Sequence, residues 1–142
     1  MNSTVVVLPF STSVNVRAVT NATLNQQVIV QPESGQATTW TGTGEGDHQI
    51  GATTIQTPAS GKNPRGYGVT VQVNSWINGQ WTPSNVLQGS CGVMYYNAVL
   101  VASEDYVDAD WNDAVVFFTW WEPPSARELE DFEIEPKSSK DG

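Results

Sequence analysis

Short runs in which apolar and polar residues alternate recur along most of the chain. In the clearest, residues 69–74 (VTVQVN), every second side chain is a valine, as expected of a strand with one buried face. Asn78-Gly79 follows shortly afterwards and is the residue pair that a type I′ hairpin turn favours. Similar segments predict further strands at residues 5–8, 14–19, 27–30, 97–102 and 114–120.

Turn-forming residues separate these segments and indicate the fold class. Proline, glycine and serine cluster at residues 32–35, 58–61 and 63–66, and the glycine-rich residues 42–48 are predicted to form a loop. Short strands at this spacing are typical of a sandwich or a barrel. We therefore predict that residues 1–121 form an all-β domain, an antiparallel Greek-key β-sandwich of about nine strands.

The composition changes at residue 122, where Glu122-Pro123-Pro124 ends the last predicted strand. Residues 125–128 (SARE) match a capping box, which predicts the start of a short helix. The residues that follow are mostly acidic or small. We assign residues 122–142 to an acidic C-terminal extension, which is either solvated or docked on the body or on a neighbouring subunit.

The charge of the chain is concentrated in two places. The formal net charge is −9, from 15 acidic and 6 basic residues, and residues 1–121 hold only three of the basic ones. Three scattered cations offer no surface for a phosphate backbone, so we expect no nucleic-acid partner. No run approaches the length of a membrane span. Residues 5–9 are too short an apolar run for a signal peptide, which predicts synthesis in the cytoplasm and leaves open release or attachment to the cell surface.

The single cysteine and the single histidine limit the chemistry further. Cys91 has no partner for an internal disulfide, and we expect it to be a small buried hydrophobe. His48 alone cannot provide a multi-histidine metal site, and any Ser-His-Asp or Cys-His mechanism would have to use it. A lone histidine in a predicted loop is usually solvated, so the sequence favours a protein that is not an enzyme.

Five of the eight acidic residues before Glu122 lie within residues 104–113 (EDYVDADWND), between two predicted strands. The oxygen donors are Glu104, Asp105, Asp108, Asp110, Asn112 and Asp113. Carboxylates this close repel one another unless a cation or a proton compensates them. Oxygen donors favour calcium, which takes six to eight of them, and disfavour zinc. The spacing differs from an EF-hand, and the simplest alternative is a solvated acidic loop.

The pattern Ser103-Glu104-Asp105-x-x-Asp108-x-Asp110-x-Asn112-Asp113-Ala114-Val115-Val116, with Trp120 after it, resembles the signature of the fucose-binding lectin II family. These are small bacterial two-calcium β-sandwich lectins. The residues 7–9 (VLP), 20–23 (TNAT), 60–62 (SGK) and 78–79 (NG) follow in the family's order and approximate spacing. The resemblance extends over about residues 5–120.

The resemblance implies that a sugar binds by direct coordination to two adjacent Ca²⁺ ions that share carboxylates. One ion would be held by Glu104, Asp108, Asp110 and Asp113. The other would be held by Asp110, Asn112, Asp113 and the main-chain carbonyl of Asn21. Asp105, Asp108, Asp110 and Asp113 would also contact the sugar hydroxyls, and Asp105, Asp108 and Asp113 would accept charge-assisted hydrogen bonds from them.

Sugar preference in the family depends on the short loop after that asparagine, here Ala22-Thr23-Leu24. The resemblance implies a preference for mannose-type sugars when the first loop residue is small and apolar, and for fucose when it is serine. Ala22 therefore predicts binding of mannose-type sugars over or alongside fucose, with Ala22 and Thr23 as sugar-binding residues.

Tryptophans are a second candidate for sugar or subunit contacts. We predict that Trp76 and Trp120 pack in the core or at a strand edge, and that Trp111 anchors the acidic loop. Trp81 and Trp121 are the better candidates for an interface.

Two other functions stay open. A carboxylate pair in the acidic loop could act as acid and base on a glycoside, although no second acidic cluster is placed to face it. Alternatively, calcium could only staple the loops of an adhesion or assembly module that binds no sugar.

The C-terminus departs from the family pattern. In the family the chain ends about three residues after the position of Trp120, and its terminal carboxylate enters the calcium site of the partner in a dimer. Here Trp121-Glu122-Pro123 occupies those positions and the chain continues to Gly142. We expect a homodimer whose site is completed by the Glu122 side chain, by a carboxylate of the extension or by water.

The substitution Glu122→Gln tests the first of these possibilities. If the Glu122 carboxylate completes the site, the variant should bind both calcium and mannose more weakly than the unaltered chain, because an amide oxygen is a weaker calcium ligand. Titration calorimetry of both proteins measures the two affinities. Equal affinities would remove Glu122 from the site.

Overall fold

The computed structural model describes residues 2–104 and 112–122, which form eight antiparallel β-strands. The strands are β1 (Ser3–Leu8), β2 (Ser13–Pro32), β3 (Thr38–Gln56), β4 (Tyr67–Ile77), β5 (Gln80–Pro83), β6 (Asn85–Val93), β7 (Tyr96–Glu104) and β8 (Ala114–Trp121). Within these residues, no helix is long and apolar enough to cross a bilayer. The all-β prediction is confirmed, with eight strands in the described part of the chain where about nine were expected.

Strand β2 organises the sheet because it is 20 residues long and pairs with three other strands. Its first half pairs with β8, from Asn15↔Thr119 to Thr20↔Ala114. Its second half pairs with β4, from Gln26↔Ser75 to Pro32↔Val69. Strand β3 pairs with both halves, and the register shifts between Ala18 and Gln26. The same strand therefore belongs to both layers of the fold.

The order along the sheet is β1-β4-β2-β8-β7-β6, with β3 on β2 and β5 on β4. The two ends of this path approach each other. Gln88 of β6 donates from Nε2 to Thr4 Oγ1 at 2.6 Å and to the main-chain carbonyl of Val5 at 2.7 Å. The sheet is therefore nearly closed into a barrel.

The core consists mainly of alternate valines of the paired strands. Val69, Val71 and Val73 are fully buried on one face of β4, as the alternation in the sequence predicts. Phe118 of β8 is the largest of the fully buried side chains. Because successive side chains point to opposite faces, a shift of one residue would move all of these valines into water, so the core fixes the register.

Two strands differ from the sequence prediction. Residues 42–48, predicted as a loop, lie inside β3, and His48 is exposed on that strand, opposite Thr20. Glycine is required in β3 for packing: a Cβ on Gly51 would overlap the ring of Trp40. Strand β6 was not predicted because its polar and glycine residues resemble a turn. Cys91 on β6 is exposed, so the expectation of a buried thiol was wrong.

Two predicted strands are also joined in the structure. Residues 14–19 and 27–30 are the two halves of β2, and the polar residues between them carry the register shifts. The Asn78-Gly79 hairpin is confirmed, between β4 and β5, with both residues at positive φ.

The Glu33 side chain connects the end of β2 to two other segments. Its Oε1 accepts from the main-chain N–H of Gly68 and its Oε2 from that of Lys62, both at 2.8 Å. These two hydrogen bonds, first that of Lys62 and then that of Gly68, lower the pKa of the Glu33 carboxyl below its ordinary value because they favour the ionised form.

Glu33→Gln should therefore lower stability at neutral pH. A carboxyl whose pKa is lowered by folding stabilises the protein above its unfolded pKa, and this contribution disappears as the pH falls through its folded pKa. We expect the urea midpoint of the variant to lie below that of the unaltered chain at pH 7 and the difference to narrow in acid. Glu45→Gln, on exposed β3, controls for removal of a charge. A difference independent of pH would contradict this role of Glu33.

Candidate functional site

Three chain segments meet where β2, β7 and β8 adjoin. Strand β7 ends at Glu104, and Asp113 immediately precedes β8. The antiparallel register of these strands, Ala102↔Val115, directs both residues toward the same end of the sheet. Strand β2 pairs Thr20 with Ala114, which brings the following residue, Asn21, to this end as well.

Main-chain hydrogen bonds hold the three segments together. Asn21 donates its N–H to the carbonyl of Asp113 at 3.0 Å, and Asp113 donates its own to the carbonyl of Ser103 at 3.3 Å. The buried Ser103 hydroxyl accepts from the N–H of Ala114 and donates to the carbonyl of Ala114, both at 3.0 Å. The backbone on each side of the acidic segment is thus fixed by the sheet.

Two carboxylates are buried at this junction. Glu104 is 4% exposed and Asp113 is 7% exposed. Removing an ionised carboxylate from water is costly, and buried charges in proteins are normally paired or bound to a metal. Asn112 precedes Asp113 in the chain, and Asn21 is hydrogen-bonded to Asp113 through the main chain. This all-oxygen donor set fits a hard cation such as Ca²⁺.

Residues 22–24, which were expected to form the short loop that sets sugar preference, lie inside β2 and adjoin this site. Ala22 is buried, and its carbonyl accepts from the Thr43 hydroxyl of β3 at 2.8 Å. Thr23 is exposed. Asn21 is half-buried, and its side chain is hydrogen-bonded to Asp47.

This contribution of β3 was not predicted from the sequence. Residues 43–47 (TGEGD) looked like a solvated loop, yet they pack against residues 20–22. The glycines of this segment were the sequence signal for an irregular backbone here. Gly44 and Gly46 have φ of 140° and 74°, a conformation that only glycine adopts readily.

Four of the predicted residues of the acidic segment, Asp105, Asp108, Asp110 and Trp111, lie outside the described residues. Of the predicted ligand and sugar-binding residues, the structure describes Asn21, Ala22, Thr23, Glu104, Asn112 and Asp113. Residues 2–104 and 112–122 contain no group of three or more His, Cys, Asp or Glu side chains able to hold a metal ion. A complete metal site would need ligands from the segment between them.

The described tryptophans that were predicted to lie in the core, at a strand edge or at an interface differ in their exposure. Trp120 is 8% exposed and packs in the core, as expected. Trp76 is 41% exposed, and its ring contacts that of Trp81 edge-on at 5.1 Å between centroids, across the β4–β5 hairpin. Trp121 at the end of β8 is 52% exposed.

Known structures with this fold include two bacterial lectins. The high-affinity mannose-binding lectin of Ralstonia solanacearum is 28% identical, with a TM-score of 0.67. The lectin CV2L of Chromobacterium violaceum, solved in complex with α-methyl-fucoside, is 26% identical, with a TM-score of 0.67. Each comparison covers 85% of this chain and 96% of the other.

The C-terminal domain of the lectin BC2L-C from Burkholderia cenocepacia shares the fold at 24% identity and a TM-score of 0.65, over 85% of this chain and 96% of that one. Comparison with curated protein sequences gives no match.

The family model of fucose-binding lectin II (PA-IIL) matches residues 6–122. This match spans most of the chain and includes all nine ligand and sugar-binding positions predicted from the sequence. The chain therefore belongs to the fucose-binding lectin II family of carbohydrate-binding proteins.

Proposed function

We propose that this lectin binds sugars through calcium, with the sugar hydroxyls coordinated directly by a pair of Ca²⁺ ions. The observation that supports this most strongly is the convergence of Asn21 in the middle of β2, Glu104 at the end of β7 and Asp113 just before β8. Both carboxylates are buried there, and the segment between them in sequence supplies three further aspartates.

The residues of the chain have separate tasks in this proposal. Glu104, Asp108, Asp110 and Asp113 hold one ion, and Asp110, Asn112, Asp113 and the main-chain carbonyl of Asn21 hold the other. When bound, the two cations supply fixed positive charge that vicinal hydroxyls can coordinate in place of water. Asp105, Asp108 and Asp113 accept hydrogen bonds from the hydroxyls, and such bonds to an ionised acceptor are stronger than those between neutral groups.

The preference for mannose-type sugars over or alongside fucose is supported by Ala22. Its small side chain is buried beside Asn21, while Thr23 next to it is exposed toward solvent. The similar structures include one lectin that binds mannose and one in complex with a fucoside. We therefore propose that both sugar classes bind, with Ala22 and Thr23 adjusting their relative affinities.

A glycan array with calcium, and again with EDTA, tests the proposed function. We expect binding to mannosides or fucosides with calcium, none with EDTA and recovery when calcium is restored. Asp113→Asn should weaken sugar binding by at least about tenfold because a bridging carboxylate is lost, an effect at the lower end of those seen at metal sites. Glu33→Gln, which changes a carboxylate in another part of the fold, should bind normally.

The array, together with an assay for sugar products and a melting curve with and without calcium, distinguishes the alternatives. Release of a sugar product would indicate a glycosidase. A calcium-dependent rise in melting temperature without binding to any glycan would indicate a structural calcium staple. Either result would contradict the proposed lectin mechanism.

We also propose that the chain forms a homodimer through the outer face of the sheet β6-β7-β8. The side chains that point away from the core on this face are largely apolar. They include Leu87, Tyr96, Leu100, Phe117 and Trp121. An outward face of a solvated antiparallel sheet is normally polar. A second copy of this chain would bury these residues.

Dimerisation would also bring the end of β8 near a partner's site. Strand β8 separates Asp113 from Glu122 within one chain, a distance of about 30 Å at the usual rise per residue. Glu122 can therefore complete a calcium site only in a second copy. Its main-chain N–H donates to the carbonyl of Tyr95 at 2.9 Å, which fixes where the extension leaves the body.

The substitution Leu100→Glu tests this interface. A carboxylate at the centre of the face should prevent its burial, so light scattering after gel filtration should give a dimer mass for the unaltered chain and a monomer mass for the variant. Val5→Glu, at an exposed apolar position of β1, should remain dimeric. A monomeric unaltered chain, or a Leu100→Glu variant that stays dimeric, would contradict the proposal.

A further inference from the structure

Strand β3 forms a bulge opposite Asn21. The register pairs Thr20 with His48 and Ala22 with Gly44, so three residues of β3 stand opposite the single residue Asn21 of β2. Asp47 in this bulge has φ of 54°. Left-handed backbone is uncommon for residues other than glycine, although aspartate and asparagine adopt it more readily than most.

The Asn21 and Asp47 residues are joined by two reciprocal hydrogen bonds. Asn21 Nδ2 donates to Asp47 Oδ1, and the main-chain N–H of Asp47 donates to Asn21 Oδ1, both at 2.8 Å. These bonds use the side-chain amide of Asn21 and leave its main-chain carbonyl out of the pair. We call this pair of bonds the clasp.

Flanking bonds extend the clasp to both neighbours of Asn21. Thr20 Oγ1 donates to the carbonyl of Gly44 at 3.1 Å, and Thr43 Oγ1 donates to the carbonyl of Ala22 at 2.8 Å. On the opposite side, the N–H of Asn21 donates to the carbonyl of Asp113. Residues 20–22 are thus held between β3 and the junction that contains the buried Asp113.

The clasp itself is exposed to solvent. Exposed hydrogen bonds contribute little net stability, because water competes for the same groups. A non-glycine residue held in a left-handed conformation has an energetic cost, and such residues cluster at ligand sites where the backbone geometry matters. The arrangement is therefore better explained by local positioning than by overall stability.

We propose that Asp47 is a positioning residue for the sugar site, which it acts on through Asn21. The clasp fixes the direction of the Asn21 main-chain carbonyl and the position of Ala22 and Thr23 relative to Asp113. This inference rests on the proposed function, since it assigns Asp47 a role in orienting one of the proposed calcium ligands. Asp47 itself touches neither ion nor sugar in this proposal.

Two substitutions of Asp47 separate its side chain from its backbone conformation. Asp47→Gly tolerates the left-handed φ but removes the acceptor for Asn21 Nδ2, whereas Asp47→Asn retains an acceptor oxygen. We expect Asp47→Gly to weaken sugar binding about 3- to 10-fold, the range for loss of one oriented hydrogen bond, and Asp47→Asn to restore it to within about twofold. Gln49→Gly, elsewhere on β3, controls for the introduction of glycine.

A double-mutant cycle identifies Asn21 as the route of the effect. Asn21→Ala removes the side-chain amide and preserves the main-chain carbonyl, so it should weaken sugar binding about as much as Asp47→Gly does. Because both changes break the same clasp, the double variant should bind no more weakly than either single variant. Independent, additive losses would overturn the proposal, as would normal binding by Asp47→Gly.

Amide hydrogen exchange without calcium or sugar tests the clasp separately from binding. The N–H of Asn21 should exchange about 3- to 10-fold faster in Asp47→Gly and at the unaltered rate in Asp47→Asn, with equal urea midpoints for all three proteins. Unchanged exchange in Asp47→Gly would refute the positioning role. An unaltered chain that binds no glycan would refute the proposed function instead, whatever the exchange rates show.

Discussion

The site depends on one constraint, which is that β2 must pair with β8 along its first half and with β4 along its second. A straight strand cannot serve both layers, and the required change of direction falls between Ala18 and Gln26, where the pairing with β3 is also irregular. Irregular pairing of this kind bends a strand and increases its twist. Asn21 and Ala22 lie within that irregular part, so the bend that joins the two layers also places these two residues of the candidate site.

The same junction accounts for the burial of acidic side chains. Glu104 and Asp113 are held at the ends of β7 and β8 by main-chain hydrogen bonds and by the Ser103 hydroxyl. Strands fixed by core residues such as Phe118 leave these carboxylates little freedom to turn toward water. The sheet therefore holds two buried carboxylates in fixed positions, as the proposed cation site requires.

The distribution of charge agrees with this use of the acidic residues. Residues 1–121 have a net charge of −5, from eight acidic and three basic side chains, and five of those acids lie within residues 104–113. Two divalent cations, as proposed, would change this to −1. Residues 1–121 would then be almost neutral, and most of the remaining negative charge would belong to residues 122–142, which carry a net charge of −4.

The all-β class, the valine-rich core and the acidic segment could be predicted from the sequence, because alternation and composition are local properties of a few neighbouring residues. The family signature in the sequence also predicted membership. The place of the glycine-rich residues 42–48 inside β3, and the contact of Asp47 with Asn21 across 26 positions of sequence, could not be predicted. That contact depends on the register of a bulge between two long strands, which no local pattern specifies.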